Sequence, residues 1–159
     1  MRKNISRCCI AFFIVGLAAV LQIETTTRQG INFEVSVIKI PLYLKVLDFF
    51  DRHYNYQNLV RKIINPSDSR EELVMKIFRW TYNNIKRMPA GYPVVDDHVW
   101  HIIVRGYGAS DQSQDVFTTL CNYANIEAFF DFIYVKGSGK MKDLSFVRLN
   151  NEWRIFDAR

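Results

Sequence analysis

The chain has 159 residues, room for one domain with a buried core and too few for two. Hydrophobic residues make up 49% and charged residues 23%, which excludes a disordered chain. Three of the 21 basic residues, Arg2, Lys3 and Arg7, precede the first apolar run; without them 18 basic residues face 16 acidic ones, which leaves little electrostatic case for nucleic acid.

That apolar run, CCIAFFIVGLAAVL from Cys8 to Leu21, carries no charge. It is short for a spanning helix, which needs about twenty residues, and suits the apolar region of an export signal. Residues 1–23 are therefore expected to be a signal peptide or a membrane anchor, and a buried N-terminal helix is the alternative. In either export case the positive end stays in the cytoplasm and the remainder crosses, so the body is expected to be membrane-anchored, periplasmic or extracellular. Cys8 and Cys9 sit where a lipid could attach, although small apolar residues need no such role. Cys121 is the one thiol of the body, so no disulfide can hold it together.

Residues 24–32, polar and containing Gly30, read as a linker to a domain spanning 33–159. An extended piece precedes Pro41 and a helix follows it, with Tyr43, Leu44, Leu47 and Phe50 on one face. A second short helix covers 56–64. Ser69 and Glu72 form a capping box that opens the strongest helix, whose ridges are Leu73, Ile77, Trp80 and Asn84, then Val74, Phe78, Thr81 and Ile85. Met88–Pro93 must be a loop, Val94–Arg105 reads as irregular or extended, and Gly106-Tyr107-Gly108 is a sharp turn. A helix then covers 111–124, with Val116, Phe117, Leu120 and Cys121 inward. Strands are expected at 127–135, 144–149 and 153–157, separated by the turn 136–140 and the Asn150-Asn151 hairpin. Helices followed by an antiparallel meander make an α+β arrangement.

Two segments carry more than local structure. GYGASDQSQDVFTTLC runs from Gly106 to Cys121, and LSFVRLNNEWRIFD from Leu144 to Asp157 places Trp153 four residues before Asp157. With the upstream WTYNNIKRMPAGYPVVDDHVW, this ordered set resembles the transglutaminase-like domain family, related to papain, over residues 69–159. The resemblance implies N-terminal helices and a helix bearing the nucleophile, packed on an antiparallel sheet. It also implies a Cys at the start of that helix, a His on a strand and an orienting Asp. A thiol at a helix N-terminus beside an imidazole ionises readily and attacks amide carbonyls.

At those positions the resemblance places Ser110 for the Cys, Lys142 for the His and Asp157 for the Asp, with Trp100, Tyr107, Gln112 and Trp153 along the groove. A hydroxyl is a far weaker acid than a thiol and needs a true general base, and lysine is cationic near neutral pH unless deeply desolvated. The resemblance thus leads to a disarmed domain that binds a peptide or a glycan-linked protein, or serves as a scaffold, rather than an active acyl-transfer enzyme. Two alternatives keep Ser110 active: a Ser110–Lys142 dyad, or a base supplied by His98 or His101. Asp96, Asp97, His98 and His101 could hold a divalent ion, but an Asp-Asp-His run is more often a capped turn, and no metal or cofactor is expected. His53, in DRHYNY, reads as a surface residue.

Overall fold

The computed structural model describes residues 2–96, 98–137 and 139–159, and for residues 2–9 the backbone alone. The Cys8 and Cys9 side chains and the Asp97 carboxylate therefore lie outside the described residues. Five helices run α1 (Arg2–Leu21), α2 (Leu42–Ile63), α3 (Arg70–Asn84), α4 (Val99–Arg105) and α5 (Ser110–Tyr123). Eight strands run β1 (Glu24–Ile31), β2 (Glu34–Pro41), β3 (Lys86–Arg87), β4 (Val95–Asp96), β5 (Tyr107–Gly108), β6 (Ala128–Tyr134), β7 (Met141–Leu149) and β8 (Glu152–Phe156).

The core lies where α3 and α5 meet the antiparallel sheet β6-β7-β8. Val116, Phe117, Leu120 and Cys121 of α5 are fully buried, as the helical spacing predicts, and Val74, Ile77 and Thr81 of α3 are buried beside them. Burial raises the Cys121 thiol well above its ordinary pKa, so it behaves as a small apolar residue. The capping box at α3 forms as read: Glu72 N–H donates to Ser69 Oγ at 3.3 Å and Ser69 N–H to Glu72 Oε2 at 2.8 Å. Asn150 and Asn151, both at positive φ, make the two-residue turn between β7 and β8.

Four stretches differ from the sequence reading. Residues 24–31, expected as a linker, form β1, which pairs antiparallel with β2 along its whole length. Thr25, Thr26 and Thr27 are β-branched, and their polarity suits a hairpin that is largely exposed. Gly30 has a positional reason: β4 crosses there, and a Cβ on residue 30 would sit 3.0 Å from that of Asp96.

The two short helices around DRHYNY are a single helix, α2. Its polar middle is held by pairs one turn apart, Asp48–Arg52 at 3.1 Å and Asp51–Asn55 at 3.1 Å. Residues 99–105 form α4 rather than extended structure, closed by Gly106 at φ 73°. β7 begins at Met141, three residues earlier than expected, so Lys142 stands in a strand and not in the flexible turn.

Among the described residues no helix is long and apolar enough to cross a membrane.

Candidate functional site

Ser110 is the first residue of α5. The residue before it, Ala109, occupies the N-cap position and has no side-chain oxygen to offer the free amides. Gln112 supplies part of what is missing. Its Oε1 accepts from Ala109 N at 3.1 Å and from Arg105 Nη2 at 2.9 Å, while its Nε2 donates to Val95 O at 2.6 Å. Arg105 also donates to Tyr107 O at 3.0 Å and to Val95 O at 3.1 Å. A Cβ on Gly108 would meet Gln112 at 3.1 Å, so glycine is what lets the chain pass this network.

Ser110 Oγ donates a hydrogen bond to Asp143 Oδ2. Asp143 shares a face of β7 with Ser145, Val147 and Leu149, the face buried against α5. Its carboxylate thus stands at the positive end of α5, where an anion is favoured. Lys142, one residue earlier, reaches the other way: its Nζ lies 2.8 Å from Asp157 Oδ2. Gln114 holds the second oxygen of Asp157 from α5, Nε2 to Oδ1 at 3.2 Å. The Gln114 Oε1 accepts from Ser145 Oγ at 2.6 Å and from Ala158 N at 3.2 Å.

The three positions taken from the resemblance therefore resolve into two adjoining pairs, Ser110–Asp143 and Lys142–Asp157. Asp143 was missed because counting back from Trp153 lands on Lys142. Alternation along the strand is the signal that finds it, since 143, 145, 147 and 149 share one face. Lys142 is 43% exposed and ion-paired, which removes the deeply desolvated lysine that a Ser110–Lys142 dyad requires.

The histidines form a separate group. His98 stands at the N-cap position of α4 without a capping side-chain bond, 3.9 Å from Asp48 of α2, and its ring centre is 6.1 Å from that of His101, which lies in α4 and not on a strand. His53 is half-buried rather than superficial, with one ring nitrogen 3.0 Å from Tyr123 Oη and the other 2.9 Å from Gln57 Nε2. Among the described residues no group of three metal-ligating side chains converges.

The four residues assigned to a groove have four different surroundings. Trp100 packs edge-on against Tyr56 at 5.4 Å, at the margin of the core. Gln112 is buried in the network just described. Tyr107 meets Tyr92 at 5.7 Å, and the Arg105 guanidinium lies 5.8 Å from its ring. Trp153 stands on the outer face of the sheet against Phe129 at 5.0 Å. The open cavity beside Ser110, about 320 Å³, is instead walled by the loop from Arg87 to Tyr92, by Gly108 and Ala109, and by Arg159.

No family model matches the chain, and no curated protein matches it. Solved structures do. A proposed cysteine protease from Cytophaga hutchinsonii superposes with a TM-score of 0.54 at 19% identity, over 67% of this chain and 37% of that one. A proposed protease from Parabacteroides distasonis gives 0.55 at 15% identity, over 67% of this chain and 23% of that one. The chain spans well under half the length of either. The likeness shows the fold, an α+β papain-like arrangement of helices on an antiparallel sheet.

Proposed function

We propose that this chain is an exported, transglutaminase-like domain that has lost acyl-transfer chemistry and binds a peptide segment in the cavity beside Ser110. The observation that carries this reading is the partner of the Ser110 hydroxyl. It is a carboxylate, Asp143, one residue beyond the position that the resemblance gives to the imidazole. A carboxylate is a weaker general base toward a hydroxyl than an imidazole is. Lys142 is ion-paired with Asp157 at 2.8 Å rather than directed to Ser110. Export rests on the three basic residues ahead of the uncharged run Cys8–Leu21.

The cavity supports a peptide rather than a small apolar ligand. Its wall is backbone-rich, formed by Pro89, Ala90, Gly91, Gly108 and Ala109, with Arg87 and Arg159 at its edge. An extended chain can lie along such a wall and exchange main-chain hydrogen bonds with it.

Rebuilding the reactive pair tests the reading. Ser110→Cys combined with Asp143→His places a thiol and an imidazole at the two positions that now bond each other. The double variant is expected to alkylate rapidly at neutral pH, with Ser110→Cys alone much slower and the parent inert toward generic glutamine peptides. Turnover by the parent would refute the loss of chemistry. An alkylation rate no higher in the double variant than in Ser110→Cys alone would refute the assembled family geometry.

A further inference from the structure

We infer that β8 is a self-complementary edge through which two copies of this chain join their sheets. Among the described residues the sheet order is β6-β7-β8, so β8 forms one side of the sheet. The direction of its backbone groups follows from the ladder. Arg148 N–H bonds to Glu127 O on the β6 side, so the odd-numbered residues of β7 turn toward β8. Their partners are Glu152, Arg154 and Phe156. The N–H and C=O groups of Trp153 and Ile155 therefore point away from the sheet.

Natural edges are usually blunted by proline, a bulge or a cover. The β8 segment EWRIF contains no proline, and its register with β7 is unbroken. An open groove of about 340 Å³ separates Glu71 and Met75 of α3 from Leu149, Asn150 and the Arg154–Phe156 end of β8. Trp153 and Ile155 are 45% and 62% exposed, large apolar groups on an edge that nothing in the chain covers among the described residues.

The charge pattern selects the occupant. Glu152 and Arg154 flank Trp153 on the face opposite its ring, both are largely exposed, and within one copy they pair with each other at 2.9 Å, a contact that pairing with a second copy would exchange. Antiparallel pairing centred on Trp153 sets each Trp153 opposite its copy, with their outward N–H and C=O groups exchanging two hydrogen bonds. The same register puts Glu152 opposite Arg154 of the second copy, and Arg154 opposite Glu152, so two opposite-charge pairs form at once. The arrangement has two-fold symmetry and closes on itself.

The test is a charge-reversal set on the full chain in mild detergent, read by light scattering and sedimentation across a concentration series. The parent is expected to dimerise with concentration. Glu152→Arg and Arg154→Glu each place like charges opposite one another twice, and each is expected to weaken the dimer by about tenfold or more. Mixing these two variants restores both opposite-charge pairs, and so does the double reversal; both are expected to dimerise as the parent does. A parent that stays monomeric at every concentration overturns the proposal. So does a dimer indifferent to the single reversals, or a loss that neither mixing nor double reversal restores.

Discussion

Two parts of this chain carry apolar ridges and use them in opposite ways. In α5, Val116, Phe117, Leu120 and Cys121 are fully buried between α3 and the sheet. In the first half of α2, Leu44, Leu47, Phe49 and Phe50 are 42–61% exposed, and β2 exposes Val35 and Val37 in the same manner. Apolar content alone thus does not mark a core. A ridge becomes core where a second element is shaped to meet it; the meander β6-β7-β8 does this for α5, and among the described residues nothing comparable covers the start of α2. The contact between Phe117 and Phe78 shows the difference at one residue: their rings meet edge to face at 5.7 Å, and Phe156 closes a three-ring cluster at 5.3 Å from Phe117 and 5.6 Å from Phe78.

The sharpest way to break that contrast is to remove one ring from each part. Phe117→Ala leaves a cavity between α3, α5 and β8, and is expected to cost about 3–5 kcal/mol in urea unfolding. Phe50→Ala removes a ring that is 61% exposed and is expected to change stability by no more than about 0.5 kcal/mol. Equal losses at the two sites would mean that the exposed α2 face is buried in the protein as it exists in solution.

The next effect in size probes the polar part of the buried half. Gln114 is fully buried and links α5 to Asp157, Ser145 and Ala158 through three hydrogen bonds. Gln114→Leu conserves volume but strands the buried Ser145 hydroxyl, and is expected to cost about 1–3 kcal/mol. Adding Ser145→Ala removes the stranded group and should recover part of the loss. A double variant no more stable than Gln114→Leu would show that the Ser145 hydroxyl finds another partner.

The buried half is also the part that the sequence spelled out. The ridges of α3 and α5, the capping box at Ser69 and the Asn150-Asn151 turn all follow from short-range patterns, because there the local period and the tertiary partner agree. The remainder depended on distant partners. Nothing in ETTTRQGI announces a strand until Val35–Ile40 is laid beside it. The polar middle of α2 looks like a break because its helical support comes from side-chain pairs that apolar periodicity ignores. In the site, spacing led to Ser110, Lys142 and Asp157. The contact between Ser110 and Asp143 was out of reach, because it depends on which face of β7 meets the end of α5. The groove residues failed for a related reason: Trp100 and Gln112 are large or polar side chains satisfied internally, and sequence does not separate these from residues aimed at a ligand.

The smallest effect separates the two ends of the buried half by pH. Burial is the main cause that raises the Asp115 carboxyl above its ordinary value, with Asp111 and Asp96 adding to it and the Thr119 hydroxyl opposing it. At the exposed start of α3 the reverse holds. The Lys76 ammonium, 2.6 Å away, is the main cause that lowers Asp68, and the Ser69 backbone N–H is the main cause that lowers Glu72. The signs follow from which state holds the proton. With its folded value above the unfolded one, Asp115 destabilises the fold at neutral pH. That deficit shrinks as pH falls through its raised folded value and is gone below the ordinary carboxylate value. Asp68 and Glu72 stabilise the fold above the ordinary value, and their contribution is lost as pH falls through their lowered folded values. Asp115→Asn is therefore expected to raise the melting temperature at pH 7 and to leave a steeper decline on acidification, because only the Asp68 and Glu72 type of contribution remains. Asp68→Asn is expected to lower it at pH 7 and to flatten the acid limb. Melting curves of the three proteins from pH 3 to pH 8 decide the matter, and a lower melting temperature for Asp115→Asn at pH 7 would show that the Asp115 carboxylate is held by a favourable partner that outweighs its burial.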